Sequence, residues 1–176
     1  MKNILSITML ALLCAASCKK ENKNEDQLPP ATQTGANTFG CLVNGKVFIP
    51  KGLSGTGSQN YRGVYEIFTG RPYLKLIAAQ YINNDFQGEM YFSIDSFYTI
   101  GTYPLRRNKN RIVYGGKFFN SCGISGFDTS TYQFGQYNII KHDVILGIFA
   151  GTFSGKIKPT NCDTINITEG RFDIKL

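Results

Sequence analysis

A chain of 176 residues with 42 % apolar and 18 % charged side chains carries enough apolar surface for one core and is too apolar to stay disordered. Its formal charge of +7 favours anionic partners. Its single histidine excludes centres that need several. The chain opens with Lys2 and an apolar run from Ile4 to Ala16, broken only by Ser6 and Thr8. That run is shorter than the roughly 20 residues that cross a bilayer, so residues 1–17 are expected to be a signal peptide removed on export.

The run ends in Ala15-Ala16-Ser17-Cys18, small residues before a cysteine, which resembles a bacterial lipobox. Cys18 is therefore expected to become the lipidated N-terminus. Residues 18–37 balance lysines against acidic residues and hold almost no large apolar side chains. Such a segment is expected to be a disordered, flexible tether. The expected partner of this end is the membrane, reached through the lipid anchor, and the expected location is the cell envelope at the outer membrane. An exported chain also sits where disulfides persist. Once Cys18 is lipidated, Cys41, Cys122 and Cys162 remain. Cys41 lies in Phe39-Gly40-Cys41-Leu42-Val43 and reads as core, whereas Cys122 and Cys162 lie in polar stretches, so a Cys122–Cys162 bridge is expected.

From Thr38 to Leu176 the composition is uniform, which predicts one domain over residues 38–176. Helical periodicity is nearly absent and strand signals recur throughout. Asn44-Gly45 suits a type I′ hairpin between Cys41–Val43 and Lys46–Ile49. Further strands are predicted over Tyr61–Thr69, Tyr73–Ile82, Glu89–Asp95, Arg111–Phe119, Tyr132–Ile140 and Ile145–Lys156. A last hairpin is predicted to turn at Glu169-Gly170. Gly147, Gly151 and Gly155 read as points of curvature. About ten strands predict an all-β fold, either an antiparallel β-sandwich or an up-and-down, lipocalin-like barrel.

Several segments occur in a fixed order: Asn44-Gly45-Lys46-Val47-Phe48, Gly101-Thr102-Tyr103-Pro104-Leu105, Gly135 to Asp143, Gly151-Thr152-Phe153-Ser154-Gly155 and Ile165 to Ile174. The set resembles a family of uncharacterised lipoproteins of the Bacteroidota. The resemblance implies an exported, lipid-anchored β domain and brings no activity, cofactor or catalytic residue with it.

Residue chemistry points the same way. His142 stands beside Asp143, but no Gly-x-Ser-x-Gly elbow presents a serine to it. No second histidine and no closely spaced cysteine pair occurs to complete a metal site, and the acidic residues of the domain, Glu66, Glu89 and Glu169 among them, are scattered. No enzyme activity and no cofactor are therefore expected. Fifteen basic and nine acidic residues fall in 38–176, about +6 net. Four of the basic residues, Arg106, Arg107, Lys109 and Arg111, crowd one connection between strands. Outside the cytoplasm such a loop excludes nucleic acid as a partner and suits an anionic glycan or another envelope component. Six tyrosines between Tyr61 and Tyr98 are a second candidate surface. The expected role is a non-catalytic binding or structural domain. The alternatives are a lipocalin-like carrier of a small apolar ligand or a small hydrolase.

Overall fold

The computed structural model describes residues 27–52, 59–83, 85–106, 109–116, 132–159 and 162–176. Cys18, Arg107 and Cys122 lie outside the described residues. Ten strands follow in order: β1 (Thr38–Val43), β2 (Lys46–Phe48), β3 (Tyr61–Phe68), β4 (Arg71–Ile82), β5 (Asp85–Asp95), β6 (Gly101–Pro104), β7 (Arg111–Gly116), β8 (Tyr132–Asp143), β9 (Ile148–Lys158) and β10 (Ile165–Lys175). They form a six-stranded sheet, β2-β1-β10-β9-β8-β6, and a four-stranded sheet, β3-β4-β5-β7. The strand ladders are antiparallel. The fold is a β-sandwich, and the barrel alternative gives way to it.

Local chemistry explains the turns. Asn44 and Gly45 both have positive φ, 48° and 79°, as a type I′ turn requires, and Thr69 and Gly70 repeat this at the β3–β4 hairpin, 49° and 77°. The strands alternate as a half-buried sheet should: Leu74, Leu76 and Ala78 point inward from β4, while Tyr73, Lys75 and Ile77 point outward. Glu169-Gly170 does not turn the chain. β10 runs straight through it, with a bulge that shifts its register against β9 between Ile167 and Gly170. Glu169 takes the positive φ of the bulge, 53°, and both halves of β10 stay paired to β9. His142 and Asp143 likewise belong to β8, and the turn lies at residues 144–147.

Aromatic rings fill the space between the sheets. Phe92 of the four-stranded sheet lies 5.2–5.7 Å, centroid to centroid, from Phe39, Tyr137, Phe153 and Phe172. Those four come from four different strands of the other sheet. Two glycines make room for the rings. Gly151 pairs with Phe172 and Gly170 with Phe153 across the β9–β10 ladder. A Cβ on Gly151 would come within 2.9 Å of the Phe172 ring, and one on Gly170 within 2.5 Å of the Phe153 ring. These glycines of β9 and β10 thus serve ring packing, while Gly147 sits in a turn with φ +66°. The edge of the four-stranded sheet is closed by side chains of β8. Gln133 accepts from Ile112 N at 3.0 Å and donates to Ile112 O at 2.8 Å, and the Tyr137 hydroxyl donates to Arg111 O at 2.6 Å.

The expectation of a flexible tether up to residue 37 is corrected. Residues 28–37 form a strap over the outer face of the six-stranded sheet. Its hub is Asp173, buried on β10. The Asp173 carboxylate accepts from Thr32 Oγ1 at 2.7 Å and from the backbone N–H groups of Thr34, Gly35 and Ala36 at 2.8–3.1 Å. Burial pushes this carboxyl up, but the four donors outweigh it and hold it below its usual range. At the other end of the strap Arg171 donates to Pro29 O. Leu28 and Pro29 rest where Gly40 lacks a side chain, since a Cβ there would lie 2.7 Å from Pro29 Cδ. The strap needs few apolar groups because a buried carboxylate gathers its backbone donors. The packed part of the chain therefore includes residues 28–37, ahead of Thr38.

Candidate functional site

The outer face of the four-stranded sheet brings together the tyrosine and arginine signals of the sequence. Register places Lys75, Ser93 and Arg111 in one row across β4, β5 and β7. The flanking row on one side holds Glu66, Tyr73 and Asp95, and that on the other holds Ile77, Tyr91 and Val113. Tyr73 and Tyr91 reach toward each other over the middle row, and their hydroxyls meet at 3.1 Å. That arch explains why Ser93, on an outer face, is only 5 % exposed. The Lys75 ammonium sits 4.9 Å from the centre of the Tyr91 ring, a cation–π contact. Burial and the bond to Tyr73 push the Tyr91 phenol up, and nearby Arg111 pulls it down. The Arg111 guanidinium keeps its Nε buried, with no hydrogen-bond partner among the described residues. Such an orphaned donor carries a desolvation cost that an acceptor on a ligand would relieve.

A depression of about 430 Å³ adjoins Tyr73, lined also by Glu66, Phe68, Thr69, Arg71 and Asp95. The face therefore offers carboxylates that accept, cations that donate and aromatic rings between them. That combination suits a ligand carrying both hydroxyls and negative charge. The other outer face has a groove of about 420 Å³ lined by Gln136, Asn138, Thr152 and Ser154, next to the strap residue Ala31. The aromatic residue of its described lining, Phe153, turns its ring into the core against Phe39 and Phe92, and its arginine, Arg171, is already bonded to Glu169 and Pro29.

The basic loop is only partly assembled into this face. It crosses from β6 in one sheet to β7 in the other. Arg106 N–H donates to Asn110 O at 2.9 Å and Lys109 N–H to Arg106 O at 3.2 Å, so the connection is tight. Buried Asn110 pins it, donating to Pro104 O and accepting from Asp95 N–H. Arg106 and Lys109 are exposed, whereas Arg111 belongs to the sheet face. Arg107 lies outside the described residues. Of the six tyrosines, Tyr73 and Tyr91 join the site. Tyr61 and Tyr65 pack against the core, Tyr81 lies beside Phe86, and Tyr98 is exposed on the β5–β6 loop. Strand alternation separates them: odd positions of β3 face inward and odd positions of β4 and β5 outward. The sequence reading missed Lys75, whose signal is its place between Tyr73 and the outward Ile77.

His142 is packed among rings. Phe97, Phe149 and Tyr65 lie 4.8, 5.5 and 6.1 Å from its centre. Asp143 turns away from it, to Lys141 at 3.1 Å and to Leu146 N–H at 3.0 Å. Burial lowers the pKa of His142 below 6.5, against the opposing pull of a bond to the Tyr98 backbone and of Asp143. The folded state thus prefers the neutral ring, while the unfolded chain takes up a proton near pH 6.5. Stability from this packing is complete above that pH and falls as the pH drops below it. We expect the melting temperature to fall between pH 7 and 5, and less so in His142→Phe. Parallel slopes for the two proteins in a thermal-shift series would refute this.

Cys41 is free and buried, as its core position predicts, and burial pushes its thiol up. Cys162 is disulfide-bonded; its expected partner Cys122 lies outside the described residues. Among the described residues no group of three or more histidine, cysteine or carboxylate side chains could hold a metal ion. Comparison of the chain with protein-family models, with curated proteins and with solved structures finds no match.

Proposed function

We propose that this chain is a lipid-anchored, non-catalytic protein of the bacterial envelope whose β-sandwich binds an acidic glycan on the outer face of its four-stranded sheet. The observation that carries the binding reading is the Tyr73–Tyr91 arch with Lys75 against it and Arg111 beside it, whose buried Nε has no partner among the described residues. Sugar rings stack on tyrosine faces, their hydroxyls bond to carboxylates such as Asp95 and Glu66, and their acidic groups pair with lysine and arginine. The anchor is supported by Ala15-Ala16-Ser17-Cys18 after the apolar run and by the resemblance to Bacteroidota lipoproteins. A surface site is favoured over a lipocalin-like interior because the rings around Phe92 already occupy the space between the sheets.

An array of acidic and neutral glycans, including lipopolysaccharide core sugars, probed with the purified chain at low and moderate salt, tests the proposal. Binding should favour acidic glycans and weaken with salt. Tyr91→Ala and Arg111→Ser should each lower affinity about tenfold, equal to about 1.4 kcal/mol. Arg106→Ser and Lys109→Ser, on the exposed loop, should cost less. Asn138→Ala, on the other outer face, should change nothing. Binding that survives Tyr91→Ala and Arg111→Ser, or that is lost in Asn138→Ala, would assign the glycan to another surface.

A further inference from the structure

One end of the sandwich carries an unusual share of exposed apolar side chains. Three connections meet there: the β3–β4 hairpin, the β5–β6 loop and the β8–β9 turn. Register and contacts place them together. Asp95 pairs with Tyr73 near the start of β4, and Ser96 N–H donates to Pro72 O. The β5–β6 loop meets the end of β8 where Phe97 packs on His142 at 4.8 Å. Tyr65, three residues before the tip of β3, packs on Phe149 at the start of β9 at 4.8 Å. The C-terminus joins them, because Leu176 N–H donates to Gly147 O.

Each tip is apolar. The β3–β4 hairpin shows Ile67 and Phe68, 66 % and 71 % exposed. The β5–β6 loop shows Tyr98 and Ile100. The β8–β9 turn shows Val144, Ile145 and Leu146 in succession, with Ile145 at 96 %. With Leu176 these make eight of the thirteen exposed large apolar residues among those described, gathered at one end. A monomeric surface rarely concentrates them so.

We infer that this end of the sandwich seats on the surface of the lipid bilayer. The inference rests on the proposed lipid anchor and adds to it an orientation. Three observations favour a bilayer over a protein partner. First, the apolar groups sit on separate projecting tips drawn from both sheets, a form that enters a soft interface more readily than it matches a rigid one. Second, the most exposed tip has two of its backbone donors satisfied internally: the Asp143 carboxylate accepts from Leu146 N–H at 3.0 Å and also bonds to Ile145 N–H. Its charge is matched by Lys141 at 3.1 Å. A turn capped in this way can bring Ile145 and Leu146 out of water without stranding those two N–H groups. Third, the strap sets the reach. From Cys18 to Leu28 there are ten residues, about 33–36 Å when extended. Leu28 rests beside Gly40 on β1, and Gly40 pairs with Arg171, four residues before Lys175 at the apolar end. That is about 13 Å along the strand, so the tether reaches the same membrane that the tips touch. Arg71, at the base of the β3–β4 hairpin, and Lys175 add exposed positive charge beside the tips, which suits anionic headgroups.

The chain contains no tryptophan, so a single introduced one reports alone. Lipidated Ile145→Trp protein, reconstituted in phosphatidylethanolamine–phosphatidylglycerol vesicles, should show blue-shifted emission, quenched at least twofold by lipids brominated in their acyl chains. Tyr132→Trp, at the opposite end, should show neither effect. Unquenched emission from Trp at 145 in protein that floats with the vesicles would overturn the seating while leaving the anchor intact. A blue shift that grows with protein concentration without vesicles would assign the end to a second copy and overturn it too. The anchor is read separately, by the intact mass of wild type against Cys18→Ser. If neither carries lipid, the anchor proposal fails alone. Flotation of the same unlipidated chain then tests the seating, which predicts at least a tenfold loss of vesicle binding in the Phe68→Glu, Ile145→Glu double variant. Equal flotation of that variant and its parent would overturn it.

Discussion

Asp173→Ala is expected to release the strap and to destabilise the domain by about 3–5 kcal/mol, because it removes the charged acceptor of four donors at 2.7–3.1 Å from a buried site. For a domain of this size that corresponds to a drop in melting temperature on the order of 10 °C. Asp173→Asn keeps one acceptor oxygen but turns an NH₂ group toward donors, so about half that loss is expected. Acid offers an independent check. A carboxyl held below its ordinary value of 3.8 contributes stability that is complete above that pH and lost as the pH falls through the folded value. Wild type and Asp173→Ala should therefore converge in strong acid. Urea unfolding across pH, with limited proteolysis of residues 28–37, reads both effects. A strap as protected in Asp173→Ala as in wild type would show that Pro29 and Leu28 hold it instead.

Phe92→Ala should cost about as much, roughly 3–5 kcal/mol, for a different reason. Phe92 meets four rings of the other sheet, more than any other ring of its own sheet among the described residues. Truncation removes the ring's transfer energy and leaves a cavity whose walls are attached to β1, β8, β9 and β10, so it cannot collapse without moving several strands. Phe92→Leu retains much of the volume and should cost less than half as much. Chemical denaturation compares the variants, with circular dichroism to confirm that the sheets remain. A loss below 1.5 kcal/mol for Phe92→Ala would mean that the sheets close over the gap.

The features that follow from local chemistry were legible in the sequence. Asn44-Gly45 announced its hairpin because few residue pairs accept two positive φ angles. In β5, Met90, Phe92 and Ile94 alternate with Glu89, Tyr91, Ser93 and Asp95, which announced two faces. Cys41 was placed in the core by its apolar neighbours. What failed to show depends on partners distant in sequence. The strap looks like linker because its stability resides in Asp173, some 140 residues away. The bulge at Glu169 looks like a turn because turns and bulges use the same positive-φ residues, and only pairing with β9 tells them apart. Gly151 reads as a point of curvature and Gly170 as part of a turn until Phe172 and Phe153 are seen to occupy the space. The binding face was half visible. Tyrosines and arginines were counted correctly, but their sorting between inner and outer faces needed the strand registers, and Lys75 emerged only from its place over Tyr91.

The hold of Gln133 and Tyr137 on β7 also bears on aggregation. On the proposed reading the chain is anchored at a membrane, where copies crowd in two dimensions and an open strand edge invites pairing between neighbours. Here β7 has its Ile112 amide and carbonyl occupied by one glutamine and its Arg111 carbonyl by a phenol. The edges of the other sheet are short, three residues in β2 and four in β6, the latter ending in Pro104. Among the described residues β3 is the longest edge strand, eight residues, and it carries Arg62 and Glu66 outward. Copies that approach through β3 meet in an antiparallel or a parallel sense, and these charges favour only certain offsets between them, so random cross-chain pairing is discouraged along that edge.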